Sequence, residues 1–181
     1  MISYSDGEGN KAGVGVALWK GNAIRAGVLQ VPEEVRMLWD RAQSRGRFND
    51  IFEVEAIGPL VILDSYAELM RGCLWLHFVD NAGALSGLVN GSSSVREGDV
   101  IVGETWSRIQ GLGVVCWFDR VGSASNPVDG LSRGRLGGPW VVDRLCFPHA
   151  LLPALQRELG TGCARGRSCS HMPSAAREGG R

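Results

Sequence analysis

Four acidic residues stand where a folded chain can bring them together. Asp6 follows the alternating segment Ile2-Ser3-Tyr4-Ser5, and Asp80 follows the apolar run CLWLHFV at 73–79. Glu55 and Asp129 each lie near the entry of a helical segment. Carboxylates at matching ends of neighbouring parallel strands converge on one rim of a sheet, where the ligands of open α/β sheets bind. Four negative charges in one patch repel one another unless cations neutralise them. Mg²⁺ takes oxygen ligands of this kind, retains waters and bridges protein carboxylates to phosphates. The chemistry on offer is therefore phosphodiester hydrolysis at a two-metal centre. Each acid taken alone is also ordinary turn or cap chemistry. Asp80 stands apart, because a nearly unbroken apolar strand leads straight into it.

The elements that must position these residues are readable from periodicity. Alternation predicts strands over 2–5, 12–19 and 24–31, joined by the turn-rich Asp6-Gly7-Glu8-Gly9-Asn10 and Lys20-Gly21-Asn22. Three such strands make an antiparallel meander. Pro32-Glu33-Glu34 opens a helix over 32–45 that ends at Arg45-Gly46-Arg47, with a bend at Asn49-Asp50. A second helix is expected over 57–70, with Pro59 in its first turn, where a proline is tolerated. The run 73–79 reads as a central strand buried on both faces. Helices over 82–89 and 100–110, a strand over 114–121 and helical residues near 127–131 follow. This order predicts an α/β fold with a mixed five-stranded sheet and helices on both faces. Residues 1–136 form the expected domain, 137–160 an extension with a helix at 150–159, and 161–181 a Gly/Arg/Ser-rich disordered tail.

Composition narrows the class further. At 181 residues the chain can bury one core without staples or a structural metal. Nineteen Lys+Arg balance nineteen Asp+Glu, so no net field draws it to nucleic acid or membrane, although a local basic face can coexist with an acidic site. The five cysteines are odd in number and show no CxxC spacing, as expected of reduced thiols in the cytoplasm or nucleus. No apolar run reaches membrane-spanning length and the start is not a secretion signal, so a soluble intracellular protein is expected.

Several stretches together resemble ribonuclease H. They are Ser5-Asp6-Gly7, the glycine-rich Ala12-Gly13-Val14-Gly15-Val16, Glu55-Ala56, Phe78-Val79-Asp80-Asn81 before Ala84-Leu85, and Ser125-Asn126-Pro127-Val128-Asp129-Gly130-Leu131-Ser132-Arg133. The likeness is greatest to the ribonuclease H domains attached to retroelement reverse transcriptases, and it runs from about Met1 to Arg133. It implies cleavage of the RNA strand of an RNA–DNA hybrid by a water activated between two Mg²⁺ ions, for which Mn²⁺ can substitute. It implies Asp6, Glu55, Asp80 and Asp129 as metal ligands, and Gly7, Asn81, Ser123 and Asn126 as positions meeting the nucleic acid. For Asn126 the stronger expectation is a structural one, ordering the turn that presents Asp129. A reverse transcriptase domain in a larger polyprotein is the implied partner. The chain departs from many cellular members in lacking a histidine in the loop 122–125 and a basic handle helix. It also carries an extra helix before Glu55.

Rival readings attach to particular residues. Glu53 competes with Glu55, since in an extended segment both would share a face. Glu55 is preferred because Ala56, Ile57 and Leu60 follow it as buried positions, leaving Glu53 toward solvent. Asp6-Gly7-Glu8 also fits the start of 3′–5′ exonucleases of the same broad fold. His77 reads as a core residue, and Cys163, Cys169 and His171 match no zinc spacing. A noncatalytic nucleic-acid-binding domain left from a decayed element is the main functional alternative.

Overall fold

The computed structural model describes residues 1–9, 12–43, 51–135 and 137–160. Strands β1 (Ile2–Glu8), β2 (Gly13–Lys20) and β3 (Ala23–Gln30) form the antiparallel meander. β4 (Leu74–Val79) lies parallel to β1, and β5 (Val115–Arg120) parallel to β4. The expected five strands become six, because β6 (Val141–Val142) adds parallel to β3 and gives the order β5-β4-β1-β2-β3-β6. Two residues are too few to show alternation in a sequence. Contacts of the next residue hold them: Asp143 takes a two-pronged ion pair from Arg25 at 2.7 Å on each arm and a hydrogen bond from the Tyr66 hydroxyl at 3.1 Å.

The fold is α/β, a mixed sheet with helices. In chain order these are α1 (Glu33–Gln43), α2 (Ile51–Ser65), α3 (Ala67–Met70), α4 (Ala82–Asn90), α5 (Arg96–Leu112), α6 (Asp129–Ser132) and α7 (Leu151–Gly160). One sheet face, with Val14, Val16 and Leu18, builds the main core against α1, α2, α5 and α7. On the opposite face Ala17 and Ala26 meet Val128 and Leu131 around α6, with Tyr4, Trp19 and Trp140 packed alongside. Alternation along β2 explains this division: successive side chains point to opposite faces.

Two boundaries differ from expectation in ways that matter for the site. β1 does not end at Asp6 but continues to Glu8, because β2 supplies ladder partners as far as Glu8↔Gly13. α2 starts at Ile51 rather than at residue 57. Residues 53–63 are all buried, so the helix has no polar stripe whose period could announce its start. Pro59 therefore sits in the helix interior, and it offers no N–H to the carbonyl of Glu55 four residues earlier. The helix expected to run on to residue 70 stops at Ser65, and α3 is a separate turn. The expected helix end at Arg45-Gly46-Arg47, the bend at Asn49-Asp50 and the tail 161–181 lie outside the described residues. Among the described residues no helix is long and apolar enough to cross a membrane.

Candidate metal centre

The sheet and α2 bring three of the four acids together. β1 and β4 pair with Tyr4 opposite Phe78, and that register continued by two residues sets Asp80 alongside Asp6. Glu55 arrives from α2, which can approach β1 only because residue 7 is glycine. A Cβ at Gly7 would lie 3.0 Å from both the Glu55 nitrogen and Val54 Cγ1. Gly58, one turn on, does the same over Ser5, whose Oγ would lie 2.5 Å from an added Cβ. The result is that Asp6, Glu55 and Asp80 each place a carboxylate oxygen within 4.8 Å of the others.

This trio is electrostatically strained without a cation. Asp6 and Glu55 are each 4% exposed, and Asp80 is half-buried. Burial, then the charges of Asp80 and Asp6, raise the Glu55 carboxyl to about 9. Burial raises Asp6 to about 6, opposed by a hydrogen bond from Ser132. At neutral pH Glu55 therefore holds its proton, and a metal ion entering the trio must displace it. The Gly7 backbone N–H donates to the Glu55 carboxyl, while Glu55 Oε2 is buried with no hydrogen-bond partner. Once the proton leaves, a buried carboxylate oxygen without a donor is costly unless something cationic meets it. The donor set is all oxygen, which suits a hard divalent cation. The trio could hold a metal ion.

Asp129 is not in this group. Its carboxylate pairs with Arg133 at 2.6 Å, one helical turn on, with side chains 34% and 53% exposed respectively. It is close enough to act on Asp6 through its charge, as Arg133 does with the opposite sign.

Glu53 departs from expectation as well. It is 1% exposed rather than solvent-facing, and it lies outside the trio. Residues two apart on a helix diverge by about 200° around its axis, so Glu53 and Glu55 cannot share a face as they would in an extended segment. Glu8 is likewise outside the trio.

The positions expected near nucleic acid divide by what their side chains already do. Asn81 caps α4, its Oδ1 accepting from the N–H groups of Gly83 and Ala84 at 2.9 and 3.0 Å. Ser123 is exposed in a short 3₁₀ turn, Ser123–Ser125. Asn126 is buried, donating to the Ser5 carbonyl at 3.0 Å and to Asp6 Oδ1 at 3.4 Å while accepting from the Val128 N–H at 3.3 Å. It ties the turn before α6 to the strand that carries Asp6. Gly7 serves the close approach of α2.

Ser132 lies in the stretch 125–133, where residue type alone gives its side chain no role, and His77 is the core residue the sequence indicates. The Ser132 hydroxyl donates to Asp6 Oδ2. His77, fully buried as a core residue, lies 2.7 Å from the Ser3 hydroxyl and 3.1 Å from that of Ser5, directly behind Asp6 in the chain. No family model matches the chain, and no curated protein or solved structure matches it.

Proposed function

We propose that this protein is a ribonuclease H-like nuclease that hydrolyses the RNA strand of RNA–DNA hybrids with two Mg²⁺ ions, Mn²⁺ substituting. The observation that carries this reading is the convergence of Asp6, Glu55 and Asp80 from three separate elements, with Glu55 Oε2 buried and unpartnered. The mixed sheet, with its meander followed by strand–helix alternation, is compatible with that fold, β6 being an addition. Bound divalent ions would activate a water and stabilise the charge developing on the scissile phosphate. Asp6, Glu55 and Asp80 would hold the first ion. Asp129 would join Asp6 at the second, leaving Arg133, since an exposed ion pair of this kind contributes about 1 kcal/mol or less. Asn81, next to Asp80 in the chain, and the exposed Ser123 would meet the sugar–phosphate backbone. A reverse transcriptase domain remains the partner suggested by the sequence resemblance.

One observation favours a second reading. Asp129 is engaged with Arg133 and stands apart from the trio, as it would in a metal-binding domain that no longer cleaves. Labelled RNA–DNA hybrid, double-stranded RNA and single-stranded DNA, each with Mg²⁺ and with chelator, separate the two. The nuclease cuts hybrid alone and only with metal, and Asp80→Asn lowers the rate by about a thousandfold or more while circular dichroism stays unchanged. Hybrid binding without metal-dependent cutting by the wild type overturns the nuclease reading.

A further inference from the structure

The third residue of α6 after Asp129, not Asp129 itself, makes the direct contact between that helix and the trio. We infer that Ser132, assisted by Asn126, is a positioning residue for the metal centre, fixing the Asp6 carboxylate in the orientation that a cation shared with Glu55 and Asp80 requires. This rests on the reading of the trio as a metal site.

The geometry is specific. Asp6 is held from both oxygens: Ser132 Oγ donates to Oδ2, and Asn126 Nδ2 lies 3.4 Å from Oδ1. Both donors are buried, Ser132 at 2% and Asn126 at 6% exposure. Ser132 Oγ also lies 3.0 Å from the Asp129 carbonyl. A hydroxyl has one proton to give, and an ionised carboxylate is the stronger acceptor. Two donors on one carboxylate remove its rotation about the Cβ–Cγ bond, which a single donor leaves free. Held so, Asp6 keeps a carboxylate oxygen within 4.8 Å of those of Glu55 and Asp80.

β2 is shaped to seat this contact. Gly15 pairs directly with Asp6 in the β1–β2 ladder. A Cβ at Gly15 would come 2.6 Å from the Ser132 nitrogen, and one at Gly13 would come 2.5 Å from the Ser132 carbonyl oxygen. Any side chain at either place would lift the end of α6 off the sheet and withdraw the hydroxyl. The alternating glycines of the Gly13-Val14-Gly15 segment thus have a purpose beyond strand geometry: they let a helix backbone rest on the strand beside the first metal ligand. Groups that orient metal ligands in this way typically account for 10–100-fold in metal affinity.

The test is Mn²⁺ binding to the full chain, measured by titration calorimetry and by the electron paramagnetic resonance signal of free Mn²⁺. The proteins compared are the wild type, Ser132→Ala, and Ser132→Cys, which keeps the volume but donates weakly. The expected result is a Mn²⁺ dissociation constant raised by about 10–100-fold in both variants, with thermal midpoints in chelator close to wild type. In the cleavage assay the Mn²⁺ concentration for half-maximal rate shifts by the same factor, while the rate at saturating Mn²⁺ stays within a few-fold. A merely structural role would lower the rate at every metal concentration without shifting that midpoint. Wild-type affinity retained in both variants overturns the positioning role while the metal reading stands. Failure of the wild type itself to bind Mn²⁺ removes the metal reading.

Discussion

Replacing Glu55 by glutamine should stabilise the metal-free protein, and the size of the gain follows from where the carboxyl sits. Its folded value is raised to about 9 from an ordinary 4.5, first by burial and then by the charges of Asp80 and Asp6. In that window the folded state binds a proton that the unfolded chain has released. The stability tied to this group is therefore fully present below pH 4.5 and is lost as pH rises through about 9. The loss is about 1.4 kcal/mol per pH unit, so by pH 7.5 it reaches about 4 kcal/mol. Glutamine has the same shape and never ionises, so Glu55→Gln escapes the loss. Urea denaturation in chelator should show the variant about 3–4 kcal/mol more stable than wild type at pH 7.5 and nearly equal to it at pH 4.5. Mn²⁺ should then close most of that gap at pH 7.5. An ion at a hundred times its dissociation constant stabilises wild type by about 2.7 kcal/mol and has little to bind in the variant. A stability difference that does not change with pH, or a variant less stable at pH 7.5 in chelator, would refute the account of Glu55 as a buried carboxyl held next to like charges.

Asp129→Asn should leave the Mn²⁺ affinity of the trio within a few-fold of wild type but lower hybrid cleavage by about a hundredfold, the usual cost of one lost electrostatic stabiliser. Calorimetry and the cleavage assay on one preparation check this, and loss of the tight Mn²⁺ site would place Asp129 in the trio after all. Gly58→Ala should destabilise by about 1–3 kcal/mol in urea, because the new methyl group collides with Ser5 at the α2–β1 contact. An unchanged midpoint would mean that α2 has room to move away from β1.

Much of the architecture was visible in residue order alone. The meander, the strand delivering Asp80 and the later strand–helix alternation all follow from local periodicity and turn residues, although β4 is fully buried on one face only, Trp75, His77 and Val79 alternating with exposed Leu74 and half-buried Leu76 and Phe78, where burial on both faces was expected. These signals survive because the elements have one wet and one dry face, or are fully apolar and short. The start of α2 was invisible for the opposite reason. A helix enclosed on every side has no polar stripe, so its entry is placed too late, at Glu55 and beyond, and Glu53, expected in solvent just ahead of it, is 1% exposed inside the helix. β6 escaped notice because two residues carry no period, and long-range contacts to Arg25 and Tyr66 hold it in place.

Residue types and order could nominate four acids, since carboxylates at the ends of strands and helices announce themselves one at a time. Distances belong to the assembled chain. Asp6, Glu55 and Asp80 meet because β1 and β4 pair in one register and a glycine lets α2 close on them, while Asp129 turns to Arg133. Ser132 is an ordinary serine until Gly13 and Gly15, more than a hundred positions earlier, open the space that brings its hydroxyl to Asp6. Contacts of that kind depend on steric fit between segments remote in sequence, and no local pattern records them.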